Sequence, residues 1–146
     1  VRANVILPEV DGFSTLVFRR LIRVSLAARQ QVHQLQIRTP GIETVVKNLS
    51  GGNQQKVLFA RVSHAGAKVI LLDEPTQGVD MAGKAEIHSL IQVMAEEGAA
   101  ILVASSEMEE LIKISHRILV IRLGRLVGEF GAIEADPEKI LQLALP

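Results

Sequence analysis

The chain has 146 residues, 48% of them apolar, which is long enough for one domain with a real core and too hydrophobic for a disordered segment. Lys plus Arg and Asp plus Glu number 16 each, so no net field gathers nucleic acid or an anionic membrane surface. Cysteine is absent, which removes disulfides and thiolate metal sites and fits the cytoplasm. No apolar run approaches the roughly 18–20 residues of a membrane helix, and no basic region leads an apolar one at the N-terminus. The chain begins with Val1 rather than Met, from which a piece of a longer polypeptide is expected.

Residues 1–13 read as extended and mixed, with Pro8 and Gly12 as breakers and Ser14 placed to cap the helix that follows. In that helix Leu16, Phe18, Leu21, Ile22, Leu26 and Leu35 form an uneven apolar stripe, and Arg19, Arg20 and Arg23 cluster beside it as a solvated or docking face. Thr39-Pro40-Gly41 breaks the chain, and a loop runs to Ser50. A helix is predicted from the two glycines at 51 and 52 up to Ala65-Gly66. Lys68 to Leu72 has the β-branched, aliphatic character of a strand buried on both faces.

Asp80 is placed to cap the next helix, where Ile87, Leu90, Ile91 and Met94 recur at helical spacing before Gly98. Ala100 to Ala104 reads as a second buried strand, and residues 107–114 as a short helix with an acidic, solvated start. Arg117 to Arg122 and Arg125 to Phe130 read as strands joined by a tight turn at Gly124, and a last helix covers residues 137–145. Strands alternating with helices predict an α/β domain with a mainly parallel sheet.

Open parallel sheets carry their reactive residues at the carboxyl ends of strands, where Asp73 and Glu74 stand here. Asp73 is suited to hold Mg²⁺ and so neutralise phosphate charge, and Glu74 to polarise an attacking water. An isolated Asp-Glu pair is commonly just a polar loop. The preceding apolar run, Pro75-Thr76 and then Gly78-Val79-Asp80 make this one specific. Ser50-Gly51-Gly52 is likewise weak by itself, but its glycines admit a phosphate close to the backbone, and the helix behind adds a favourable dipole. Leu49 before it and Asn53-Gln54-Gln55 after it sharpen the pattern.

Residues 78–85, Gly-Val-Asp-Met-Ala-Gly-Lys-Ala, match the spacing of a phosphate loop except at Ala85, where Ser or Thr should bind Mg²⁺. Pro75 separates them from the strand and Lys84 falls in the first turn of a helix, so the match is read as a decoy. His33, His64, His88 and His116 are scattered without metal-ligand spacing and read as surface or packing residues.

Asn48-Leu49-Ser50-Gly51-Gly52-Asn53-Gln54-Gln55-Lys56 and Val69-Ile70-Leu71-Leu72-Asp73-Glu74-Pro75 resemble the signature and Walker B segments of an ABC-type ATPase. The whole chain looks like the C-terminal part of the second nucleotide-binding half of a ribose/galactose/xylose-type sugar importer ATPase, with Val1-Arg2-Ala3-Asn4 resembling the segment after the Q-loop and Gly128-Glu129-Phe130 the final ribbon. That resemblance implies a partial P-loop NTPase fold, with residues 1–66 as a helical signature subdomain and 67–146 as the C-terminal part of the ATPase core. The P-loop strand is missing from between the strands at 100–104 and 118–122, so the sheet is expected to be open in its middle.

The same resemblance implies ATP and Mg²⁺ as ligands, with Ser50, Gly51, Gly52 and Asn53 on the γ-phosphate held by an opposing nucleotide-binding half and Asp80 coupling the two sites. Asp73 would be the Mg²⁺ ligand, Glu74 the catalytic carboxylate and Ser106 the occupant of the switch position, where many relatives carry His. Ser there speaks against hydrolysis at this half's own site. A transmembrane permease subunit is the further partner implied, with the chain peripheral at the cytoplasmic face of the inner membrane and neither inserted in it nor bound to nucleic acid. Two other readings are a non-catalytic subunit docking on a transporter and a piece of a chromosome-maintenance ATPase. The second lacks the long heptad arms and basic surface it would need.

Overall fold

The computed structural model describes residues 1–7 and 17–145, with side chains from residue 22 onward in the second helix. The breakers Pro8 and Gly12, the cap at Ser14, Leu16 and the side chains of Phe18, Arg19, Arg20 and Leu21 lie outside the described residues. The elements, in order, are α1 (Arg2–Ile6), α2 (Val17–Gln34), α3 (Gly51–His64), β1 (Val69–Asp73), α4 (Met81–Glu96), β2 (Ala100–Ala104), α5 (Met108–Ile114), β3 (Arg117–Arg122), β4 (Arg125–Gly131) and α6 (Pro137–Ala144). They divide into two compact units, residues 1–102 and 103–146.

In the first unit, the stretch expected to be extended begins instead with the short helix α1. Tertiary packing overrides the mixed local signal: Val1, Val5 and Ile6 are buried with Ile37, Leu49, Val57 and Ala60 in one apolar cluster. Backbone bonds from Arg2 to the Ile42 carbonyl (2.8 Å) and an Arg2–Glu43 ion pair (2.8 Å) fix the helix to the loop before the signature turn. α3 stops where Gly66 takes φ +62°, and α4 stops before Gly98 at φ +95°, both conformations that favour glycine. Along α4 the buried side chains are Ile87, His88, Ile91 and Met94, one stripe at helical spacing.

β1 and β2 pair with each other, joined by the α4 crossover, in the parallel arrangement of an α/β fold. They are not buried on both faces. Ile70 is buried, but Val69 and Leu71, which point to the other side, are 67% and 73% exposed, as is Leu102 at 57%. No described residue is placed to cover that face as the strand composition demands.

In the second unit β3 and β4 form an antiparallel hairpin through Leu123 and Gly124, both at positive φ (49° and 74°), the backbone signature of a tight primed turn. A bulge at Val120/Ile121 shifts the register by one residue, so that Ile118↔Phe130 and Val120↔Gly128 pair on one side of it and Ile121↔Leu126 on the other. Ile118, Val120 and Ile140 form the core, with Leu111, Val127, Phe130 and Leu143 packed around it. Gly128 is there because α6 lies directly on it: an added Cβ would come within 2.7 Å of Leu143 Cδ1. Among the described residues β1 pairs with β2 and β3 with β4, as two two-stranded sheets.

Candidate nucleotide site

The first unit carries the predicted signature turn, both carboxylates and Asp80. Ser50 stands at the N-cap of α3 in extended conformation (φ −62°, ψ 156°), yet its side chain makes no capping bond to the first turn. Asn53 Nδ2 donates to Ser50 Oγ instead (2.8 Å), leaving the hydroxyl proton for another acceptor. The Asn53 carbonyl oxygen in turn accepts from the Arg38 backbone N–H (2.7 Å), and Gln54 Nε2 donates to the Leu49 carbonyl (2.8 Å). Asn53 and Gln54 thus brace the turn from both sides, which explains why polar residues follow the glycines.

The two glycines have a packing reason that the sequence did not reveal. A Cβ on Gly51 would come within 3.0 Å of the Gly78 carbonyl oxygen, and one on Gly52 would meet Val79 Cγ1 at 3.4 Å. On the facing helix, a Cβ on Gly83 would clash with Val79 Cγ1 at 2.5 Å and lie 3.8 Å from Gly52 Cα. Three glycines therefore let the start of α3 rest on the loop before α4. Gly83, read above as part of a decoy, belongs to this contact.

Asp80 caps α4 as predicted, its Oδ1 accepting from the Gly83 N–H at 2.7 Å. The Lys84 N–H donates to the Asp80 carbonyl (2.8 Å), the first bond of the helix. The Gly83 and Lys84 amides that a phosphate loop would aim at its ligand are thus already spent on Asp80, which speaks against the decoy on geometry.

Asp73 ends β1, exposed and on the same side of the strand as Val69 and Leu71. Glu74 follows at φ +47°, a left-handed conformation rare for a non-glycine residue and a sign of local strain. The Gln77 N–H to the Glu74 carbonyl and the Val79 N–H to the Thr76 carbonyl, each 3.1 Å, fold the next residues into a tight turn over buried Thr76. That turn delivers Gly78 and Val79 onto the glycines of α3. Ser106 lies in the second unit, exposed just before α5. Near it, Glu110 departs from the solvated helix start expected for it: it is 5% exposed and accepts from Ser105 Oγ at 2.5 Å.

Among the described residues no three His, Cys, Asp or Glu side chains gather as a metal cluster. Mg²⁺ takes only one or two carboxylates, completing its shell with water and phosphate oxygens. Asp73 with its neighbour Glu74 is a donor set that fits a Mg²⁺ carried on a nucleotide.

Sequence reasoning also missed the ion pair that ties α3 to α4. Lys56, 4% exposed in its side chain, lies 2.7 Å from Glu86 Oε2 and donates to the Gln36 carbonyl (3.2 Å), and Arg38 Nη2 reaches Glu86 Oε1 at 3.3 Å. The Lys56 hydrogen bond, joined by the charges of Lys56 and Arg38, holds the Glu86 pKa below the ordinary carboxylate value.

The family described as ABC transporter matches residues 7–77. A protein of Halalkalibacterium halodurans named as a ribose/galactose/methyl galactoside import ATP-binding protein is 44% identical over 144 residues, 99% of this chain and 28% of that protein. A ribose import ATP-binding protein of Rubrobacter xylanophilus is 48% identical over 125 residues, 86% of this chain and 24% of that one. The chain therefore spans about a quarter of the length of these relatives. Among solved structures, a nucleotide-free ATP-binding cassette from an ABC transporter superposes with a TM-score of 0.77 at 17% identity, over 99% of this chain and 62% of its own. A dimeric bacterial ABC transporter cassette gives 0.71 at 22% identity, over 90% and 56%. The signature-like turn, the strand ending in Asp-Glu and the cassette fold agree with these matches, and the chain belongs to the ABC transporter ATP-binding family.

Proposed function

We propose that this chain is a nucleotide-binding-domain portion of an ABC-type carbohydrate importer, contributing signature and Walker B elements to the ATP hydrolysis that drives sugar uptake. The observation that carries the proposal is the seating of the Ser50-Gly51-Gly52 turn on Gly78 and Val79, which binds the signature-like turn mechanically to the loop leaving Asp73 and Glu74. Ser50 and Gly51 are exposed at the start of α3, and the Ser50 hydroxyl and the first backbone N–H groups of the helix would donate to the γ-phosphate of ATP held by an opposing half. Asp73 would hold Mg²⁺, which supplies charge neutralisation on the phosphates, and Glu74 would orient and polarise the attacking water. Asp80, fixed as the cap of α4, would keep the loop in the position that couples one site to the other.

In this reading residues 1–66 serve as the helical signature subdomain against a transmembrane permease, and 67–146 as the C-terminal part of the ATPase core, at the cytoplasmic face of the membrane. Among the described residues no helix is long and apolar enough to cross a membrane. The test is a chimera: the matching segment of the Rubrobacter xylanophilus ribose import protein is replaced by this chain, and ATP hydrolysis and ribose uptake are measured with its permease. Retained activity that falls at least tenfold with Ser50→Arg is the expected result. Activity indifferent to Ser50→Arg overturns the assignment.

A further inference from the structure

We infer that the groove between the end of α2 and residues 36–42 is a binding site for a small phosphate monoester with an apolar body, and that its occupant acts on the signature-like turn through Arg38. Binding there goes beyond the proposed function, and only its effect on ATP hydrolysis rests on that reading. The groove has a volume of about 740 Å³, within the range of small-molecule sites. Arg29 and His33, one turn apart on α2, line it with Arg38 from the loop and with apolar Val32, Pro40 and Ile42, and among the described residues no Asp or Glu does. Glu43, the acid next to it along the chain, is paired with Arg2 at 2.8 Å. The carbonyls at the end of α2, which would repel an anion, are already spent: those of Val32 and His33 accept from the Ile37 and Gln36 N–H groups (2.9 and 3.2 Å), and that of Gln36 accepts from Lys56. Two guanidiniums and an imidazole suit a phosphate monoester, which carries about two negative charges near neutral pH, better than a single carboxylate.

Gln36 lines the groove at φ +49°, the left-handed position after a helix that glycine occupies at least cost. A side chain kept there against that cost gives the groove an amide donor for a phosphate oxygen. Arg38 connects the groove to the candidate site. Its side chain is 81% exposed and reaches Glu86 at 3.3 Å, so an incoming phosphate competes for it. Its backbone N–H donates to Asn53 Oδ1 at 2.7 Å, and Asn53 Nδ2 donates to Ser50 Oγ at 2.8 Å. A backbone N–H can only donate, so this bond decides which end of the Asn53 amide faces Ser50, and with it where the Ser50 proton points. An occupant that pulls Arg38 away from Glu86 strains that bond, releases the Asn53 amide and leaves the Ser50 hydroxyl free to turn from the nucleotide.

The experiment titrates phenyl phosphate into the full isotope-labelled chain, with phenol, benzoate and inorganic phosphate for comparison, and follows backbone and Asn side-chain amide resonances. Phenyl phosphate should shift residues 29–42 and the Asn53 side-chain amide saturably, and bind at least tenfold more tightly than the other three. Arg29→Glu should weaken it at least tenfold, whereas Arg125→Glu, the same change at an exposed residue of β4, should leave it intact. Gln36→Gly should raise the thermal midpoint and still weaken binding several-fold, a pair of effects that partial unfolding does not produce. Absence of saturable shifts at residues 29–42, equal binding of phenol or inorganic phosphate, or indifference to Arg29→Glu overturns the inference, as do anionic lipid vesicles that shift these residues where phenyl phosphate does not. In the chimera, phenyl phosphate should lower ATP hydrolysis at least twofold and lose that effect with Arg29→Glu. Binding without inhibition, or inhibition that survives Arg29→Glu, refutes the link from Arg38 to Ser50, whereas hydrolysis indifferent to Ser50→Arg refutes the proposed function and leaves the groove site standing.

Discussion

Removing the two partners of the Lys56–Glu86 pair should have unequal costs, because their surroundings are unequal. The Lys56 side chain is 4% exposed and that of Glu86 40%. In Glu86→Ala the ammonium keeps only the Gln36 carbonyl at 3.2 Å as acceptor, inside the contact between α3 and α4. Leaving a buried charge so under-compensated costs about 3 kcal/mol, the low end for a broken buried pair, since the space vacated by Glu86 admits some water. In Lys56→Met the volume is largely kept, the charge goes, and Glu86 retains Arg38 and solvent, so the loss is that of a partly exposed pair, about 1 kcal/mol or less. The double variant should resemble Lys56→Met, giving a coupling of about 3 kcal/mol between adjacent sites. With no Trp or Tyr in the chain, urea unfolding is followed by far-UV circular dichroism, and amide exchange in α3 locates the effect. Equal costs for the two single variants would refute the reasoning, since Lys56 would then be finding water as readily as Glu86 does.

The same pair sets an acid-side pH dependence. Because the folded Glu86 pKa is lowered, its contribution is fully present above the unfolded value near 4.5 and is lost as pH falls through the folded one, so Glu86→Gln should flatten the acid limb of stability and leave the alkaline limb unchanged in an urea titration. Gly83→Ala should destabilise by about 1–3 kcal/mol, since its Cβ lands 2.5 Å from the stiff Val79 side chain. In the chimera it should also lower ATP hydrolysis by moving the loop on which the signature turn rests. Asp80→Ala should cost about 1 kcal/mol by removing the cap bond to the Gly83 N–H, measurable by thermal unfolding. Asp73→Asn, at an exposed strand end, should stay within about 0.5 kcal/mol of the parent while losing Mg²⁺-dependent hydrolysis in the chimera.

Much of the fold could be read locally, because each legible element carried its own punctuation. Asp80 and Gly98 bracket α4, the two glycines at 51 and 52 and Gly66 bracket α3, and Gly124 announces the β3–β4 turn. What misled was either tertiary or absent. α1 has no local helix signal and forms because Val1, Val5 and Ile6 are claimed by a core assembled from residues up to 60. β1 and β2 have the composition of strands covered twice and are covered once, since composition records the environment a strand is suited to and not the one that this chain provides. Within the candidate site the motif residues were visible, but their mutual support was not. No spacing rule pairs Lys56 with Glu86 thirty residues away, and Gly83 was hidden inside a pattern that pointed to the wrong chemistry.

Glu74 supplies the clearest conflict between stability and chemistry in the chain. At φ +47° its backbone suits Asn or Gly better than Glu, and the turn that follows helps to hold it there. Were the residue simply a polar loop position, Glu74→Asn would relieve strain by about 0.5–1 kcal/mol at no functional expense. If it orients water at a phosphate, the same substitution should raise the thermal midpoint and abolish whatever hydrolysis the assembled site performs, because an amide cannot accept the water's proton. Glu74→Asp offers the discriminating control. It keeps a carboxylate, shortens its reach by one methylene, and tolerates the left-handed backbone, so it too should stabilise, while restoring only part of the rate. A variant series in which rate follows stability, rather than the presence of the carboxylate, would show that the strain at residue 74 serves the turn toward Gly78 and not the reaction.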